Sequence, residues 1–189
     1  MAKKVILASG SPRRKELLEQ VGVEFEQRVS GKEERYTATE PKEIVKELAL
    51  MKAENVASDI EAEKGLLIDT VVIGADTIVV LDGQILGKPR NEEHAFEMLQ
   101  NLQGRSHEVY TGVAFLSYNK EGKKEVISHA VETKVHVHEM REKEIREYPV
   151  SELKFKLRRK NDKVQINDKE LKELEELERK EGQSHITDE

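Results

Sequence analysis

Residues 5–14 constrain the fold more than any other part of the chain. Val5, Ile6, Leu7 and Ala8 make a short apolar run of the kind that forms a buried strand. Ser9, Gly10, Ser11 and Pro12 follow at once, and then RRKELLEQVG. Ser11 is a good N-cap and Pro12 a good first helical residue. Leu17, Leu18 and Val21 fall on one helical face, and Gly22 stops the helix. The predicted unit is therefore strand, tight loop, helix N-terminus. Such a unit turns free backbone N–H groups and the positive end of a helix dipole toward an anion. Arg13 and Arg14 add bidentate donors at the same place. Basic side chains in a first turn oppose the dipole, and a bound anion relieves that conflict. An ordinary capped helix with solvated arginines has the same sequence, so this motif alone leaves the odds even.

The rest of the chain reads as alternating strands and helices. A second strand is predicted over residues 25–30. Thr39 or Glu40 opens a long helix with Pro41 in its first turn and Ile44, Leu48, Met51 and Val56 as its apolar stripe. Residues 66–81 are rich in β-branched side chains and read as strands broken near Gly74, Ala75 and Asp76. Asp82-Gly83 is a hairpin signal. Asn91 caps a helix that ends at Gly104, with Ala95, Met98, Leu99 and Leu102 facing a core. Residues 109–117 and 126–137 are predicted strands. In the second, Val131, Thr133, Val135 and Val137 alternate with Glu132, Lys134, His136 and His138, the pattern of a half-buried strand. A short helix is predicted over residues 139–148. The order of elements predicts an α/β fold around a mixed sheet.

Composition narrows the function classes. The net charge is −6, and a protein that coats nucleic acid is usually basic, so no nucleic-acid partner is expected. Cysteine is absent, which excludes disulfides, thiolate metal sites and a Cys nucleophile and fits a reducing compartment. The N-terminus has too short an apolar run for a signal peptide, and no segment reaches about 18 apolar residues, so no membrane is expected. A cytoplasmic location follows as the expectation.

Three further motifs bear on chemistry. In GADTIV, Asp76 follows an apolar run at a predicted sheet edge, a place that suits a Mg²⁺ or Mn²⁺ ligand or a general base, although a turn Asp with a local hydrogen bond reads the same way. In LGKP, Lys88 offers a point charge for phosphate, or is an exposed lysine in a plain turn; the segment is not a Walker loop. In GRSHEVYTGV, Arg105, Ser106, His107 and Thr111 gather polar groups at the entry to a strand, for base recognition or merely as a connection. His136 and His138 share a strand face with no evident third ligand, so a solvated face is the stronger reading there.

Taken in order, ASGSPRRKELL, the Glu33-Glu34 pair, Lys52-Ala53 in a long helix, IGADTIV, LGKP and GRSHEVYTGV resemble the Maf family of nucleoside triphosphate pyrophosphatases, and more narrowly its dTTP/UTP branch. The likeness runs to Tyr148. It implies a Maf-type, inosine-triphosphatase-like mixed sheet with flanking helices and a central cleft. It implies hydrolysis of dTTP, UTP or modified nucleotides to the monophosphate and diphosphate, with a divalent metal, Mg²⁺ or Mn²⁺. Carried over by motif, Asp76 resembles the proton acceptor, Arg13 and Thr77 the specificity positions, and Ser9, Arg14, Glu34, Lys52 and Lys88 the remaining site residues, with Glu34 and Asp76 as metal ligands. The implied partner is the nucleotide substrate, and a homodimer is compatible with the likeness.

The resemblance divides the chain into a pyrophosphatase domain over residues 1–148 and a charged tail over residues 149–189. Family members continue after the equivalent of Tyr148 with a glycine-rich stretch of the form DKAGAYGIQG, then a closing strand and helix. Residues 149–189 are instead charged and glycine-poor, predicted as an exposed helix or disorder. The expected consequences are a domain incomplete at its C-terminal side and activity that is weak or absent. A non-catalytic nucleotide-binding or regulatory protein of the septum-inhibition type, or an inactive truncated product, are the competing readings.

Overall fold

The computed structural model describes residues 3–87 and 89–146. The predicted tail over residues 149–189 and Lys88 lie outside the described residues. The elements run β1 (Lys4–Ala8), α1 (Pro12–Gln20), β2 (Glu26–Gln27), α2 (Pro41–Lys64), β3 (Thr70–Leu81), β4 (Gln84–Leu86), α3 (Glu92–Leu102), β5 (Ser106–Tyr118), β6 (Lys124–His136) and α4 (Glu142–Arg146). The sheet has the order β2-β1-β3-β5-β6, and β4 pairs with β3. Strands β1, β2 and β3 are parallel, and β5 and β4 run antiparallel to β3. The expected mixed α/β sheet with flanking helices is present.

The connections place the helices. From β1 through α1 to β2 the chain steps one way along the sheet, and from β2 through α2 to β3 it steps back over β1. Parallel crossovers are right-handed, so α1 and α2 lie on opposite faces. The α2 face holds the larger core. Ile6, Ala8, Val72, Leu116 and Tyr118 of the sheet pack against Ala53, Val56, Ala57 and Ile60 of α2. Contact there is close because two strands carry glycine under the helix. A Cβ on Gly74 would lie 2.0 Å from the Ala49 carbonyl oxygen, and one on Gly112 2.1 Å from that of Val45.

Several local expectations change. Residues 70–81 form one unbroken strand rather than two, so Gly74-Ala75-Asp76 is no turn. The signal misread as a break is the small-residue surface that α2 needs. The second strand shrinks to Glu26–Gln27. Helix α1 buries no residue, and Leu17 and Val21 are 48% and 71% exposed; its apolar stripe does not face a core. Strand β6 ends the sheet and is exposed along both faces, with Val135 its one buried residue. The half-buried pattern fails because no described element covers it. Asp82 and Gly83 take positive φ, 51° and 76°, and close the β3–β4 hairpin as the sequence indicates.

The chain divides into two compact units, residues 1–87 with 107–134, and residues 88–106 with 135–189. The first holds most of the sheet, α1 and α2. The second, over its described residues, is built on α3. Asn91 Oδ1 accepts from the His94 N–H at 2.8 Å and caps that helix, whose buried residues are the predicted Ala95, Met98, Leu99 and Leu102. Ile145 of α4 packs with Ala95 and Leu99, and the Arg146 guanidinium sits 4.1 Å over the Phe96 ring.

Candidate active site

The site is built around a gap in the sheet. On one edge of β3, β1 pairs as far as Ala8↔Gly74, and β4 pairs from Val79 to Leu81. The other edge is lined by β5 from Thr70 to Val80. Residues 75–78 of β3 thus have no strand neighbour on the β1 side among the described residues. Asp76 and Thr77 lie in this gap. Asp76 is therefore inside a central strand, not after one, on a stretch of edge that β1 leaves unpaired.

Successive strand residues point to opposite faces, so Asp76 and Thr77 open onto two sides of the sheet. On the α1 face lies the SGSPRR loop. Ser9 is 6% exposed. Its hydroxyl accepts from the Ser11 N–H at 3.3 Å and from Arg14 Nη1 at 2.9 Å. Arg14 Nη2 donates to Thr77 Oγ1 at 3.3 Å, and Thr77 Oγ1 lies 3.1 Å from Thr111 Oγ1. Gln27 Nε2 holds the Ser9 carbonyl at 2.7 Å. The guanidinium is thus fixed by two hydroxyls. Ser11 occupies the N-cap but makes no side-chain cap bond, and the first turn of α1 carries no acid. That leaves the helix end suited to an external anion. Arg13, in the same first turn, is half-buried.

On the α2 face, Lys52 reaches from the helix between two acids. Its Nζ makes a close ion pair with Asp76 Oδ1 and lies 3.2 Å from Glu34 Oε2. The Asp76 side chain is 12% exposed, that of Lys52 18% and that of Glu34 49%. The loop carrying Glu34 is tied to α2. Glu47 accepts from the Thr37 and Ala38 N–H groups at 2.8 and 3.1 Å, and Met51 Sδ accepts from the Arg35 N–H at 3.3 Å. The Ala38 and then the Thr37 hydrogen bond hold the Glu47 carboxyl below the usual carboxylate range.

Two carboxylates converging on one cationic head form a hard oxygen donor set, and such a set fits Mg²⁺ or Mn²⁺. Among the described residues no group of three or more His, Asp or Glu side chains is arranged to hold a metal. Glu34 and Asp76 are the residues that could hold such an ion.

The structure brings together Ser9, Arg14 and Thr77 on one side of β3, and Glu34, Lys52 and Asp76 on the other. Of the GRSHEVYTGV group, Thr111 joins the cluster, its Oγ1 lying 3.1 Å from Thr77 Oγ1. His107 is 4% exposed, and its Nδ1 has no hydrogen-bond partner among the described residues. Arg105 and Ser106 belong to the second unit, where the Ser106 hydroxyl lies 3.2 Å from His136 Nδ1. The His136 and His138 rings meet edge to face at 6.3 Å. Gln27 and Glu47, which hold the two loops, gave no signal in the sequence. Gln27 acts on backbone 18 residues away and Glu47 on backbone 9 and 10 residues away.

Among the described residues no helix is long and apolar enough to cross a membrane. A protein from Lachnoclostridium phytofermentans described as dTTP/UTP pyrophosphatase is 49% identical over 144 residues, covering 76% of this chain and 70% of that protein. One from Bacillus cereus with the same description is 49% identical over 150 residues, covering 79% and 72%. Among solved structures, the Staphylococcus aureus Ham1 protein matches with a TM-score of 0.44 at 14% identity, over 73% of this chain and 74% of that one. Residues 4–156 match the family described as Maf-like protein, and the chain belongs to the Maf family.

Proposed function

We propose that this chain is a nucleoside triphosphate pyrophosphatase, a hydrolase of acid anhydrides that converts dTTP or UTP to the monophosphate and diphosphate. The observation that carries the reading is the gap at residues 75–78 of β3. It holds a fixed guanidinium with a helix N-terminus on one side and a carboxylate pair with a lysine on the other. Relatives near 49% identity that are described as dTTP/UTP pyrophosphatases support the substrate class.

The roles follow from charge and reach. The first turn of α1 and the Arg14 fork bind and orient phosphate oxygens, with Arg13 beside them. Ser9 and Thr77 fix the Arg14 fork. Arg13 and Thr77 are the proposed specificity positions. Lys52 supplies positive charge to the polyphosphate on the other side, and Lys88 is proposed, from its motif, as a further positive charge for the substrate. Asp76, the more enclosed acid, takes a proton from the attacking water, and Glu34 with Asp76 would hold Mg²⁺ or Mn²⁺. A bound divalent ion supplies charge neutralisation at the phosphates. Residues 149–189 lack the glycine-rich stretch that the family resemblance leads one to expect, so turnover slower than that of the relatives is expected. A cytoplasmic place is proposed with the cysteine-free composition as support.

Incubation of the protein with dTTP or UTP and Mg²⁺, followed by phosphorus NMR, tests the reading. It expects dTMP or UMP together with pyrophosphate. Release of orthophosphate and a diphosphate nucleoside, or no turnover with either substrate, contradicts it.

A further inference from the structure

We propose that Lys52 is the resident counter-ion of the carboxylate pair, and that it must leave Asp76 and Glu34 before a divalent cation can be held there. The inference deepens the proposed function and rests on it for the identity of the site, but its evidence is the position of one ammonium group. Lys52 Nζ pairs with Asp76 Oδ1 and stands 3.2 Å from Glu34 Oε2, the place between the two acids that a shared metal would take.

A lysine ammonium offers donors and no acceptor, so it cannot serve as a ligand beside a metal. Two positive charges about 4 Å apart repel strongly when water is partly excluded, and the Lys52 and Asp76 side chains are only 18% and 12% exposed. Lysine and metal are therefore alternatives at these oxygens. The lysine has a flexible stem that lets its head swing away. A polyphosphate at the gap gives that head a new anionic partner. The site without nucleotide then has its negative charge halved by Lys52, and cation and nucleotide bind with positive coupling. Lys52 acts on metal occupancy through Asp76 and Glu34, and in this respect it is a positioning residue.

The test needs no turnover. Thermal melts and Mn²⁺ titrations, without nucleotide, compare the wild-type chain with K52M and K52R. K52M leaves two acids facing each other, so its melting temperature in EDTA falls below wild type. Mn²⁺ then restores it, with half-saturation at roughly one tenth or less of the wild-type Mn²⁺ concentration. K52R keeps the positive charge and binds Mn²⁺ as weakly as wild type. If K52M does not fold, K52Q gives the same reading with a smaller loss of packing. Mn²⁺ binding by the neutral variant that is no tighter than wild type overturns the proposal. So does K52R binding as tightly as the neutral variant. Wild-type pyrophosphate release from dTTP, measured separately, reports on the function alone, so failure of one reading is not mistaken for failure of the other.

Discussion

Asp76 and Thr77 are neighbours in sequence yet serve opposite faces of β3, and this one step in the chain organises the site. The acid meets Lys52 and Glu34, and the hydroxyl meets Arg14 and Thr111. Residue types in the motifs made most of this legible: arginines after a strand, an acid within a β-branched run, a lysine in a long helix. The pairings that hold them were not legible, because Gln27 to Ser9 and Glu47 to Thr37 depend on chain segments meeting in space. His107 shows the same limit. Its motif suggested a polar cluster, but the side chain is buried. Burial pushes its pKa below 6.5, with Glu108 partly opposing. The unfolded chain therefore binds a proton at His107 more readily than the folded one. Stability is unaffected by this group above pH 6.5 and is lost as pH falls below it. H107F removes that loss. Urea melts across pH are expected to show a wild-type-minus-H107F difference that is flat above pH 6.5 and moves against wild type below it. A difference independent of pH contradicts the assignment.

At the scale of elements, strong local signals held and weak ones gave way to packing. Helix α3 was legible because cap, acidic first turn and apolar period agree. The predicted break in β3 failed because small residues serve two purposes, turns and close packing. Gly74 is in a strand and is small because α2 crosses there. G74A drives a Cβ toward the Ala49 carbonyl and is expected to cost about 3 kcal/mol. A thermal or urea melt checks it, and a loss under about 0.5 kcal/mol would mean that α2 can move away freely. Strand β2 is short, and side-chain ion pairs add to its backbone pairing with β1. Glu26 pairs with Lys4 at 2.7 Å and with Arg28 at 2.8 Å. Lys4 first, then Arg28, lowers its pKa from 4.5 to about 2. The stabilisation is present in full above pH 4.5 and disappears as pH drops toward 2. Acid titration of E26Q against wild type should show a gap that closes over that range. A gap unchanged at low pH contradicts the pairing.

Across the whole molecule, the described site residues belong to one compact unit, residues 1–87 with 107–134. The sequence motifs for this unit are spread over about a hundred positions, and their order along the chain made the family legible before any geometry. The gap between β1 and β4 was not legible, since it depends on where two strands stop pairing with a third. In the proposed function both faces of β3 act on one polyphosphate. Rates of pyrophosphate release from dTTP by wild type, D76N and R14K test it most directly, one variant for each face. D76N is expected to lose at least about 100-fold in kcat, and R14K, which lacks the bidentate fork, at least about tenfold in kcat/KM. Full activity in either variant, with the fold intact, would show that the corresponding face takes no part and contradict the claim.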